Sequence, residues 1–242
     1  MQPIGRSRPL KSVVLLSGGL DSAVCLAFAR TETAVELALT FNYGQRSAEK
    51  EIAAASQLAG YYNIRHRVIE LPWLAEITHT ALVRKEQALP EPVQAELDNL
   101  DLGNQSAAAV WVPNRNGLFV NIAACFAESM DCHLVVAGFN REEAATFPDN
   151  TPEFAMAVSA AMAYSTANQV RVVSYTGRLD KAEIVSLGNR LGVPWEYVWS
   201  CYRGEPRMCG RCESCRRLIR AFKSAGGELP PSLGSLITAG GE

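Results

Sequence analysis

The stretch VVLLSGGLDSAV, residues 13–24, decides how this chain is read. Val13, Val14, Leu15 and Leu16 form a short unbroken apolar run, the pattern of a strand buried on both faces. Ser17, Gly18 and Gly19 follow, and Leu20, Asp21 and Ser22 open a helical pattern. Paired glycines let the backbone come close to a ligand and take φ > 0 without strain. The helix start beyond them offers unpaired N–H groups and a partial positive charge. Strand, glycine turn and helix start together make an anion cradle, and the anion expected is the pyrophosphate of ATP. No G-x-x-x-x-G-K-[ST] or G-x-G-x-x-G string is present here, so neither the Walker nor the dinucleotide reading applies.

SGGLDS resembles the PP-loop of the ATP pyrophosphatase superfamily. That resemblance implies cleavage of ATP between its α- and β-phosphates, with a substrate oxygen adenylated and AMP then displaced. Leu16, Ser17, Gly18, Gly19, Leu20, Asp21 and Ser22 are the ATP-binding candidates.

Outward from the loop, strands and helices alternate. The pattern predicts a helix over 23–30, a strand over 34–41 (AVELALTF), a helix over 47–59 closed by Gly60, and a strand over 64–71. It continues with a helix over 118–130, a strand over 133–139, a helix from Pro152 through 167, a strand over 170–174 and a helix over 179–191. Such alternation predicts an α/β fold: a Rossmann-like parallel five-stranded sheet with helices on both faces. Residues 72–110 break the pattern. Their span 86–104 holds five acids and no Lys or Arg, and reads as a surface loop or lid, with partial disorder as the alternative. Residues 140–151 read as a polar loop.

In open α/β sheets ligands sit beyond the carboxyl ends of the strands. SGGLDS, NYGQR (42–46), NREEA with PDN (140–150) and TGRLDK (176–181) all fall where strands end or helices begin. VPNRN (112–116) is the mouth of another helix. Their convergence points to one site.

The chain has 242 residues, 48% hydrophobic and 20% charged, with a net charge of −2. This suits one α/β domain with a small appendage and argues against a broad nucleic-acid-binding face. No apolar run reaches the roughly 18 residues of a membrane helix, and residues 1–12 read as a short leader without an export signal. A cytoplasmic location is expected. Cys25, Cys125 and Cys132 lie in apolar patterns and read as packed thiols. Cys201, Cys209, Cys212 and Cys215 give C-x(7)-C-x(2)-C-x(2)-C, a donor set for a closed structural zinc site. An iron–sulfur cluster is the rival. Arg216, Arg217 and Arg220 are placed to offset the charge of a zinc centre with four thiolate ligands. The expected division is a leader over 1–12, a nucleotide-binding α/β domain over 13–195 and a zinc-binding segment over 196–242.

The order SGGLDS, FNYGQR, VPNRN, GFN…FPDNTPEF, LDKAEI and then the cysteines resembles the 7-cyano-7-deazaguanine synthase family, over about 13–222. The resemblance implies an adenine nucleotide alpha hydrolase-like fold and an ATP-dependent C–N ligase. The substrates implied are 7-carboxy-7-deazaguanine, ammonia and ATP with Mg²⁺, in a homodimer that needs no nucleic acid. It further implies catalytic roles for Lys181, Asp21 and Arg115. Lys181 would face the phosphates, and Asp21 would orient magnesium or the loop. Tyr43, Gln45 and Arg46 would line the shared cleft. Arg115 and Asn116 match the RN of the family's VPxRN, and a guanidinium suits a carboxylate or phosphate. Gly138 joins them, and Glu143, Asp149 and Glu153 are candidates for the base edge. Many bacterial relatives carry Tyr-Pro-Asp-Cys-Arg where this chain has Phe147, Pro148, Asp149, Asn150 and Thr151. A paralogue that stops at the amide or joins the deazaguanine to another amine therefore stays open, as do a tRNA-modifying PP-loop enzyme and a nucleotide-binding regulatory module.

Overall fold

A computed structural model describes residues 10–231. Five strands form one sheet: β1 (Lys11–Leu15), β2 (Ala34–Asn42), β3 (His66–Glu70), β4 (Leu134–Val136) and β5 (Arg171–Val173). All neighbours are parallel, in the order β3-β2-β1-β4-β5. The order reverses between β1 and β4, and that switch opens a crevice at their carboxyl ends.

Both faces are covered, which is why the strands read as apolar runs rather than alternations. Val14, Leu16, Ala38 and Val136 face one core, together with α1 (Leu20–Glu32), α2 (Ala48–Tyr61) and α8 (Lys181–Leu191). Val13, Leu39, Val135 and Val172 face the other, under α5 (Arg115–Ser129) and α7 (Pro152–Ser165). The first core also takes in Cys201, Met208, Cys212, Cys215 and Phe222, so the cysteine segment and α9 (Glu213–Ser224) pack into the main body.

Local signals set several boundaries. α7 starts with Pro152 in its first turn and Thr151 accepting from Phe154 N at 3.1 Å. α8 has a reciprocal capping box between Asp180 and Glu183 and ends on Gly192, φ 66°. Helix α2 runs past the expected stop. Gly60 lies inside it with open space around it, and the chain turns only at Asn63, φ 55°. Burial of Ala54, Ala55, Leu58 and Ala59 carries the helix through the glycine, an ordinary tertiary override of propensity.

Four further expectations need correction. Lys11 and Ser12 belong to β1, with Ser12 buried; residues 1–9 of the expected leader lie outside the described residues, as do 232–242. The 86–104 span is not a structureless loop: within the 72–110 region, which opens with α3 (Pro72–Ile77), it holds a 3-10 turn at Gln94–Glu96 and the start of α4 (Leu100–Val110). Two of its acids are paired, Glu91 with Arg203 and Arg211, and Asp98 with Arg220. That docking on the cysteine segment orders a stretch whose own pattern is weak. The 140–151 span likewise contains α6 (Arg141–Ala144) and a 3-10 turn at Pro148–Asn150. Among the scattered cysteines Cys25 and Cys132 are buried, but Cys125 is exposed on α5.

Candidate active site

The strand-order switch opens into a cavity of about 260 Å³. The SGGLDS loop forms one end. Gly18 adopts φ 78°, and a Cβ there would stand 2.7 Å from Ala54 Cβ, so the loop is pressed against α2. Gly19 precedes α1 in extended conformation, and no side chain caps the helix. Its first N–H groups are therefore available to an anion. Ser17 Oγ accepts from Gly19 N at 3.3 Å and meets Ser22 Oγ at 3.1 Å, which fixes the turn. Gly138, just past β4, touches α1: a Cβ there would lie 2.7 Å from Ser22 N. Only glycine lets the end of β4 come this close to the first turn of α1.

Beside the loop, Lys181 is held between two acids. Its Nζ lies 3.1 Å from Asp21 Oδ2 and 2.7 Å from Glu143 Oε1. Its side chain is 9% exposed and that of Asp21 14%. Burial pushes the Asp21 carboxyl up to about 6, against the pull of Lys181 and with help from Glu143. Glu143 is shifted the other way: burial works to raise it, and Lys181, Asn140 and Arg217 together lower it further. One ammonium does not neutralise two buried acids, and Asp21 is left under-compensated. Its second oxygen, Oδ1, is buried without a hydrogen-bond partner.

The other end is aromatic and cationic. Arg115 opens α5 because Asn114 turns left-handed, φ 48°, directing the next residue into the cavity. Its Nη1 donates to Tyr43 Oη at 3.3 Å. Burial opposes the Arg115 charge, but Tyr43, Asp149 and Tyr202 together hold it firmly protonated. Phe119 stacks on Phe41, centroids 4.0 Å apart and planes within 7°, and tilts against Tyr43. Such a wall suits a flat ring, and Arg115 suits an anionic substituent on it.

The structure brings Leu16, Ser17, Gly19, Leu20, Asp21, Ser22, Tyr43, Arg115, Asn116, Gly138, Glu143 and Lys181 to this cavity. It does not bring Gly18, Gln45, Arg46, Asp149 or Glu153 to its lining. Gln45 is buried beneath, bonding Phe41 O, Tyr43 N and Glu51. Arg46 turns to the carbonyls of Arg84 and Gln87. Asp149 accepts from Asn116 through its backbone oxygen, and Glu153 is exposed at the start of α7.

The family model described as "Queuosine biosynthesis protein QueC" matches residues 11–226. This chain belongs to the QueC family. A 7-cyano-7-deazaguanine synthase from Desulforamulus reducens is 74% identical over 221 residues, covering 91% of this chain and 97% of that relative. Others of the same name, from Pelotomaculum thermopropionicum and Desulforudis audaxviator, are 60% and 59% identical, covering 91% and 90% of this chain and 100% and 99% of theirs.

In this QueC chain the cysteines Cys201, Cys209, Cys212 and Cys215 gather so that their sulfurs all lie within 4.8 Å of one another. Cys209 and Cys215 Sγ are 3.9 Å apart. A tetrahedral ion with bonds of about 2.3 Å sets its sulfurs about 3.8 Å apart, so the cluster could hold a metal ion. Backbone N–H groups of Arg203 and Cys209 donate to Cys201 Sγ, and that of Cys212 to Cys209 Sγ, at 3.3 to 3.4 Å. These bonds favour thiolates. Arg217 and Arg220 were expected to balance the cluster. Instead they pair with Glu142, Glu213 and Asp98.

The cysteine segment also walls the cavity, a role absent from the sequence reading. Trp199 N donates to Gly18 O at 2.9 Å, and Trp199, Tyr202, Glu213 and Arg217 line the interior. Burial, then Glu213 and Glu143, push the Tyr202 phenol well up, so it stays neutral. Adjacency to Cys201 was the available signal, but spacing alone does not say which way a metal loop faces.

Proposed function

We propose that this chain is an ATP-dependent 7-cyano-7-deazaguanine synthase. It would convert 7-carboxy-7-deazaguanine and ammonia to the nitrile that serves queuosine-type nucleosides. The observation that carries the reading is one cavity with a phosphate cradle and Lys181 at one end, and Arg115 on an aromatic wall at the other. Relatives covered almost end to end and named for that product support the same assignment.

ATP would lie with its phosphates on the α1 start, over Ser17, Gly19 and Ser22. The substrate carboxylate attacks the α-phosphorus, and pyrophosphate leaves past Lys181. Ammonia then displaces AMP to give the amide. A second ATP adenylates the amide oxygen, releasing pyrophosphate, and loss of both amide protons and of AMP leaves the C≡N bond, AMP carrying the oxygen away. The chain supplies position and fixed charge for both rounds. The lone Asp21 Oδ1 suits a magnesium ion accompanying ATP, which would neutralise charge between the carboxylate and the phosphates. The sulfur spacing favours zinc over a cluster, whose cysteines bind different irons and so stand farther apart. We also assign residues 11–195 as the nucleotide-binding unit and the chain from 196 on as the zinc segment, in a cytoplasmic homodimer. No helix among the described residues is long and apolar enough to cross a membrane.

Purified protein given 7-carboxy-7-deazaguanine, ammonium and MgATP is expected to yield a product with the mass of the nitrile, together with AMP and pyrophosphate. Accumulation of the amide alone would overturn the reading in favour of an amide-forming enzyme.

A further inference from the structure

Two consecutive acids on α6 hold one lysine by two handles. Glu143 takes the Lys181 ammonium at 2.7 Å. Glu142 Oε1 takes the Lys181 backbone N–H at 2.9 Å. That N–H is the first of α8 and has no partner within its own helix, and a carboxylate there also sits at the positive end of the helix. The other Glu142 oxygen faces away. Arg220 Nη2 reaches it at 2.7 Å and Arg217 Nη1 at 3.2 Å. Both arginines stand on α9, which begins directly after Cys212 and carries Cys215. The same two guanidinium groups reach the 72–110 region, Arg217 at Leu97 O and Arg220 at Asp98.

We infer that Glu142 is a positioning residue for the ATP chemistry, acting through Lys181; this rests on the phosphate-facing role given to Lys181 above. The lysine stem is long, and its Nζ position is set by where its Cα is held and by Asp21 and Glu143 at its tip. Glu142 fixes the Cα end against α9. The Glu142 side chain is 19% exposed, so its charge is spent on these partners rather than on water. The cysteine segment thereby sets the position of a phosphate-facing ammonium without any of its sulfurs entering the reaction. A glutamine in place of Glu142 keeps an acceptor for the backbone N–H but meets two guanidinium groups with a neutral amide, so the tether to α9 slackens.

The test is a double-mutant cycle on kcat/KM for MgATP, with melting scans to show that each variant is folded at the assay temperature. Glu142→Gln is expected to lower kcat/KM up to about a hundredfold, the scale for displacing a positioning contact by an ångström. Arg220→Met, outside the cavity, is expected to act in the same direction. In a Lys181→Ala background, Glu142→Gln is expected to change kcat/KM by less than about twofold, because the proposed effect, of a residue that itself lines the cavity, runs through the lysine. A Glu142→Gln variant with wild-type kcat/KM, or one whose loss adds in full to that of Lys181→Ala, overturns the proposal and leaves the lysine reading standing. If Lys181→Ala alone costs nothing, the lysine reading falls and the proposal falls with it.

Discussion

Asp21 holds a charge that burial disfavours, and Asp21→Asn measures by how much. Its carboxyl is pushed from an ordinary 3.8 to about 6, by burial first, with Lys181 opposing and Glu143 and Glu142 adding to the rise. The folded chain therefore holds this proton more tightly than the unfolded chain. The contribution to stability is fully present below about pH 4 and is lost as pH rises through about 6. From 3.8 to about 6, the loss at neutral pH is about 3 kcal/mol. Asparagine mimics the protonated carboxyl in shape and hydrogen bonding. Without nucleotide or magnesium, Asp21→Asn is expected to melt above wild type by about 6 °C or more at pH 7.5, at roughly 2 °C or more per kcal/mol for a chain of this size. The gap should shrink to about a third near pH 4.5. Calorimetry across that pH range reads it directly. A variant no more stable than wild type at pH 7.5 would refute the reasoning, since the Asp21–Lys181 pair would then be a net stabiliser. MgATP should invert the order by raising the wild-type midpoint more than that of the variant, because the charge disfavoured in the empty cavity is the one a magnesium ion needs.

The remaining expectations concern the cradle, the substrate wall and the metal site. Gly138→Ala places a Cβ 2.7 Å from Ser22 N and should lower kcat/KM for ATP by about a hundredfold; kinetics equal to wild type would show that the end of β4 need not touch the first turn of α1. Arg115→Lys removes the planar fork and should raise KM for the carboxylate substrate at least about tenfold while changing KM for ATP little, as steady-state kinetics with each substrate varied will tell. Cys212→Ala should lose the metal and melt lower; unchanged zinc in elemental analysis of the purified variant would sink the zinc assignment.

Much of the site lay open in the sequence because its signals are local. SGGLDS needs only adjacent residues to make a strand, a glycine turn and a bare helix start. VPNRN carries its own left-handed turn at Asn114, and Asp180 with Glu183 writes the start of α8. Gln45 and Arg46 were legible as a motif, but their direction was not: strand β2 ends, the chain turns at Gly44, φ 80°, and the two side chains point into the body and the 72–110 region. α4 and α6 lack a clear apolar period, and their local signals, the Asn99 and Asn140 side-chain caps, are short.

The sequence by itself determined the parallel α/β sheet, the glycine turn at a bare helix start and the four-cysteine donor set. Each follows from residue types a few positions apart, where backbone geometry leaves little choice. Only the tertiary structure decided what the cradle faces. It set Lys181 against Asp21, brought Tyr202 and Arg217 in from the cysteine segment, and tied α9 to α8 through Glu142. These partners lie up to 160 positions apart along the chain, and their pairing depends on the sheet order and on which buried charges find opposite ones. The SGGLDS loop is therefore half of a site whose other half the fold supplies.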